Sequence, residues 1–169
     1  MSFQVGEKVV YPNQGVGIIE QISTRNLTGQ PEMFYLLKLS SSSMRVMVPT
    51  TNVESIGLRR VSKSSEIGSV LDFLVKGRCK SAGDWKWRFK ENSEKMRNGS
   101  LLQVAEVFKS LLTLNRDKPL SFREKKMLDR AWQLLVDEIT VARGLSRGQG
   151  EELLAKALSK TNLRAPLPS

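Results

Sequence analysis

The apolar pattern of this chain changes period once, near residues 61–64, and that change constrains the fold more than any other feature. Before it, short β-branched and aromatic runs alternate with turn residues. Val5–Tyr11 ends at Pro12 and the polar turn Asn13-Gln14-Gly15, and Val16–Thr24 follows with Ile18, Ile19 and Ile22. Asn26–Gln30 reads as a hairpin turn, Phe34–Leu39 as a third strand and Ser40–Ser43 as a loop. Met44–Val48 alternates up to Pro49, and a short strand near Ile56–Val61 closes the set. Short strands at this spacing predict a small, strongly bent barrel or half-barrel.

After the change the period is helical. Ser65 stands as an N-cap before an Ile67/Val70/Leu71/Leu74 stripe, and 77–83 reads as a loop. Asp84 can cap a helix running through Met96 to the Asn98-Gly99 stop. Ser100 with Gln103, and Ser121 with Glu124, form capping boxes for two further helices, and a last helix spans about Ser146 to Leu158. Trp132 lies at helical spacing from Leu128 and Leu135, which reads as core packing. The expected fold class is α+β in two domains. Residues 1–61 form a small β half-barrel, 62–64 a linker, 65–160 an all-α helical bundle and 161–169 a disordered tail.

Composition narrows the chemistry. Histidine is absent and Cys79 is the single cysteine, so the commonest general base, the commonest metal ligand and every Ser–His or Cys–His pair are missing. No phosphate-binding glycine loop is present, and no metal or other cofactor is expected. The pattern argues against an enzyme; its one nucleophile candidate is Cys79, beside Arg78 and Lys80. No apolar run approaches the roughly 20 residues of a membrane span, and the N-terminus does not resemble a signal peptide. An intracellular, cytoplasmic monomer is the expectation.

The formal net charge is +10, and it is uneven. Residues 61–130 hold sixteen Lys/Arg against nine Asp/Glu, whereas residues 1–60 hold six against four. Within the basic segment, residues 84–90 read DWKWRFK, two tryptophans and a phenylalanine among three cations. Flat apolar plates beside phosphate-seeking charge suit a nucleic acid held by its backbone and pressed at its bases. The bland alternative places both tryptophans in a helix core, with the cations solvating its outer face.

Four strings, in order, resemble the CarD/CdnL family of bacterial RNA-polymerase-binding transcription regulators, covering Phe3 to about Leu158. FQVGEKVVYPNQGVG is similar to the family's opening F-x-x-G-D-x-V-V-Y-P-x-x-G-V-G. MRVMVPTTNVESIGLRRV resembles its alternating strand running into V-P and then G-[LV]-R. DWKWRFKENSEKMRNGS resembles W-x-R-R-[YF]-x-x-x-x-E-K-[ILM]-x-[ST]-G, and LSFREKKMLDRA resembles L-S-x-x-E-[KR]-x-M-L-x-x-A. The resemblance implies an N-terminal Tudor-like domain docking on the RNA polymerase β subunit and a helical domain touching promoter DNA.

By the same resemblance Trp85 is the wedge at the upstream fork of the transcription bubble, in the minor groove and with little sequence specificity. Lys86, Arg88, Lys90 and Lys125 are then phosphate contacts. Docking carries onto Arg25, Met47, Val48 and Pro49, with Arg45 nearby by alternation. Two positions depart from the family pattern. Met47 stands where some relatives carry Arg, and Trp87 where relatives usually have Arg. Residues two apart on a helix point about 200° apart, so Trp85 and Trp87 cannot share a face. The rival readings are a polymerase-binding adaptor without wedge action and a general single-stranded nucleic-acid binder.

Overall fold

A computed structural model describes residues 2–26, 28–79 and 84–164. The chain divides into two compact units between Val61 and Ser62. In the first, β1 (Lys8–Tyr11), β2 (Gly15–Asn26), β3 (Pro31–Leu39), β4 (Arg45–Pro49) and β5 (Arg59–Arg60) form one antiparallel sheet in the order β4-β3-β2-β1-β5. β2 slips register against β3 between Ile19 and Gln21, a bulge of the kind that bends a strand. The core of this unit buries Val9, Ile19, Leu37, Val48 and Leu58. Phe3 joins them edge-on to Tyr35, with ring centroids 5.7 Å apart, while its backbone N–H donates to the Tyr35 hydroxyl at 3.0 Å.

Two stretches differ from the sequence expectation. Val5 is exposed and outside the sheet, since Gly6 turns the chain at φ 88° and β1 begins only at Lys8. The strand expected near 56–61 shrinks to two residues because a helical turn, α1 (Val53–Ile56), precedes it. Gly57 ends that turn at φ 84°, and its N–H donates to the carbonyls of Val53 and Glu54. A side chain there would be strained, which is why glycine stops the turn.

The second unit holds α2 (Ser64–Lys76), α3 (Trp85–Asn98), α4 (Leu101–Asp117), α5 (Phe122–Arg143) and α6 (Arg147–Leu158). α2 starts two residues earlier than Ser65 capping would allow, with Lys63 as its N-cap, because the Glu66 carboxylate reaches back to the Lys63 N–H at 3.0 Å. The expected linker is likewise engaged: Ser62 donates through N–H and hydroxyl to Glu138, a carboxylate buried on α5. Ser100 and Ser121 cap α4 and α5 as the sequence predicts, with the full reciprocal box at Ser121–Glu124.

The core of this unit gathers Leu74, Phe108, Leu111, Leu135, Ile139 and Leu154, all fully buried. Trp132 is buried against Phe108, with ring centroids 5.7 Å apart. Leu163 is also buried, so the segment read as a tail from residue 161 begins inside the fold; 165–169 lie outside the described residues. So does most of the 77–83 loop. No helix among the described residues is long and apolar enough to cross a membrane.

Candidate nucleic-acid interface

α3 carries one stripe inward, at Trp85, Phe89, Asn92 and Met96. Those positions recur at four, three and four residues, one face of a 3.6-residue helix. Burial along the stripe is graded. Met96 and Asn92 are buried, Phe89 is half-buried, and Trp85 is 48% exposed at the helix start. Trp85 therefore belongs to the packed face and overhangs its edge. Trp87 is on the solvent side with Lys90, Glu91 and Glu94, at 62% exposure. A core role for both tryptophans does not describe this helix.

The start of α3 is fixed locally. The Asp84 carboxylate accepts from the Lys86 N–H at 3.2 Å, satisfying one of the four donors that a helix start leaves open. Cations then pair with the rings. Lys86 Nζ is 6.0 Å from the Trp85 ring centroid and Lys90 Nζ 5.8 Å from that of Trp87. Both cations are exposed, placed to meet an anion while covering an apolar plate.

Arg88 is placed differently from its expected role as a phosphate contact. Its guanidinium turns inward, with Nε 3.1 Å and Nη2 3.0 Å from Oε2 of Glu124 on α5. The Arg88 side chain is 16% exposed and that of Glu124 4%. A carboxylate that deeply buried requires a charged partner, and Arg88 supplies it.

The same juxtaposition brings forward residues that the sequence reading passed over. Arg123 stacks on Phe89 at 4.5 Å, and Phe122, 71% exposed, carries Lys126 at 4.6 Å from its ring. The available signal was that Glu124, Leu128 and Ala131 set the inward stripe of α5, leaving Phe122 on the other side. Lys125 is exposed on the same first turn.

Behind α3 lies a cavity of about 270 Å³, lined by residues that include Cys79, Arg88, Asn92, Lys95 and Glu106. The Cys79 thiol is 3.8 Å from the Glu106 carbonyl, and burial pushes its pKa up, against the pull of Lys109 and Lys95. The thiol form is favoured, which weighs against a nucleophile there. Among the described residues no group of three His, Cys, Asp or Glu side chains gathers to hold a metal.

In the β unit the residues expected to dock divide by alternation. β4 is an edge strand, and its Arg45 and Met47 are exposed while Val48 is 1% exposed and packed into the core. Val48 lies on the inner side of the edge strand, opposite Tyr35, which is also buried. Met47 pairs with Leu36, and Leu36 with Gln21. Arg25, two positions of two beyond Gln21 on β2, shares that outward face. Arg45 donates to Glu20 at 2.9 Å, an exposed pair, and Pro49 is half-buried at the strand end.

The chain thus pairs a β module that has an edge strand, β4, with a helical unit whose exposed aromatics Trp85, Trp87 and Phe122 each carry a cation. Residues 3–62 match the family described as the CarD-like/TRCF RID domain, and residues 69–155 match the CarD C-terminal domain. The chain belongs to the CarD family, a family of transcription regulators. It is 33% identical over 147 residues to the “Putative transcription factor YdeB” of Bacillus subtilis (strain 168), covering 87% of this chain and 96% of that protein. Among solved structures, CdnLNt from Myxococcus xanthus is 43% identical, covering 36% of this chain and 86% of that one, with a TM-score of 0.32. The N-terminal domain of Myxococcus xanthus CarD is 37% identical, covering 35% and 79%, with a TM-score of 0.31.

Proposed function

We propose that this protein docks on the RNA polymerase β subunit through its β unit and stabilises the open promoter complex through its helical unit. Arg25, Arg45, Met47 and Pro49 form the docking face, with Val48 holding the strand from beneath. Trp85 acts as a wedge at the upstream fork of the bubble, in the minor groove. Lys86, Lys90 and Lys125 engage phosphates, joined by Arg123 and Lys126 from α5. It works as a monomer, without a cofactor or catalytic step, in the cytoplasm at the nucleoid.

The observation that carries this reading is the overhang of Trp85: at the start of the helix face that buries Asn92 and Met96, yet half exposed and beside the Lys86 cation. An aromatic plate at a fork replaces stacking that melting removes, worth on the order of a few kcal/mol in favour of the open form. Phosphate contacts add hold without reading sequence, so promoter choice rests with the polymerase. A factor tethered to polymerase needs little affinity for DNA alone.

The experiment is open-complex lifetime on a ribosomal-RNA-type promoter with polymerase alone, with wild-type protein and with Trp85→Ala. Wild type should lengthen the lifetime, and Trp85→Ala should lose the effect while still co-purifying with polymerase. An unchanged lifetime under saturating, demonstrably bound wild type would reduce the protein to a polymerase adaptor. The exposed aromatics Trp87 and Phe122 favour a second reading, single-strand stacking without polymerase; affinity for single-stranded DNA alone would support it.

A further inference from the structure

Arg88 sits three residues after Trp85, on the turn of α3 where the helix stops overhanging and begins to pack. Its two bonds to Oε2 of Glu124, at 3.0 and 3.1 Å, fall on a carboxylate that has a second task. The other oxygen, Oε1, accepts from the Ser121 hydroxyl at 3.1 Å and the Ser121 N–H at 3.5 Å, closing the capping box of α5. One buried carboxylate thus terminates α5 and receives α3. The next residue adds a parallel tie, Phe89 under the Arg123 guanidinium at 4.5 Å. Turning Arg88 outward to a phosphate would break two charge-assisted bonds and strand a buried negative charge, an exchange that strongly disfavours the contact.

We propose that Arg88 is a positioning residue: it locks the first turns of α3 onto the first turn of α5 and so sets the direction in which Trp85 leaves the fold. Its contribution to DNA is made through the tryptophan, without touching the nucleic acid. The inference rests on the reading of Trp85 as the DNA contact only for its consequence at promoters. The lock itself is a property of the free protein.

The test uses the full chain with Arg88→Met, Glu124→Gln and both together. In the free protein, amide exchange at Phe89 and Lys90 should speed about tenfold in each single variant, the local opening that loss of a tie produces. Wild-type protection at those amides in both variants overturns the lock, whatever happens on DNA. In the polymerase assay each single variant should shorten the open-complex lifetime, and the double should fall no further, as expected of two ends of one interaction. The slope of log lifetime against log salt should stay that of wild type in Arg88→Met; a lost phosphate contact would flatten it by about 0.9. Glu124→Gln separates the two roles most sharply, since freeing Arg88 would strengthen a phosphate contact but weakens a lock. A longer lifetime in Glu124→Gln overturns the proposal. Should either variant lose its fold by circular dichroism, Arg88→Lys decides: a phosphate contact survives the change, whereas one ammonium cannot reproduce the two-bond grip. If Trp85→Ala leaves the lifetime unchanged, the wedge reading fails, and the exchange measurement still judges the lock.

Discussion

Replacing Trp87 by arginine tests whether the solvent face of α3 runs along a phosphate backbone. Trp87 is the third residue of the helix and 62% exposed, and among its neighbours Lys90 is the cation paired with its ring. Trp87→Arg therefore leaves the core untouched. It forgoes a cation–π contact worth about 0.5–1 kcal/mol at an exposed site. It also adds positive charge near a helix N-terminus, at about 0.3–1 kcal/mol. The summed cost is about 1–2 kcal/mol of local stability, too little to unfold the unit. If the new guanidinium meets one phosphate, the salt slope of promoter-complex stability steepens by about 0.9. Over the fourfold range from about 50 to 200 mM salt, that single contact makes the variant lose about 3.5-fold more than wild type. Open-complex lifetimes at four potassium chloride concentrations measure it, with Trp85→Ala as a control that should shift lifetime but not slope. A Trp87→Arg protein that binds polymerase normally yet keeps the wild-type slope would refute a phosphate-facing position 87.

Two predictions concern the fold. Trp132→Ala removes a 9%-exposed ring packed on Phe108 and should cost about 3–5 kcal/mol in denaturant unfolding, whereas Trp85→Ala, from a half-exposed site, should cost much less. Lys109 is a buried cation whose Nζ donates to the Phe73 carbonyl at 3.2 Å, and burial holds its pKa below the usual 10.5. An amine lowered on folding costs stability below its folded value, and the cost is relieved as pH rises through that value toward 10.5. Lys109→Met should thus lie within about 1 kcal/mol of wild type at pH 7, and its standing relative to wild type should worsen between pH 7 and 10 in denaturant midpoints.

What was legible in the sequence was mostly what is local. Asp84, Ser100 and Ser121 announce their helices because a cap and its donors lie within three residues. The strands of the β unit were legible from alternation, which also held the answer for Val48: in a strand with Arg45 and Met47 outside, residue 48 faces in. The pairing of Arg88 with Glu124 was not legible because the two lie 36 residues apart and nothing near Arg88 in sequence marks a buried carboxylate. Lys109 hides for the same reason, sitting in an apolar stripe with its acceptor on another helix. α1 displaced an expected strand because Val53 and Leu58 both bury themselves around Gly57, a choice set by the core rather than by residues 56–61 alone.

The distribution of the three tryptophans gives the molecule a built-in optical reporter. Trp85 and Trp87 are open to water while Trp132 is shielded, so the emission divides into a red-shifted part accessible to a soluble quencher and a blue-shifted part that is not. Base stacking at the surface acts on the first and leaves the second as an internal reference. Engagement of nucleic acid can then be followed in the unlabelled protein, and single replacements at 85 or 87 assign the changing signal to one ring.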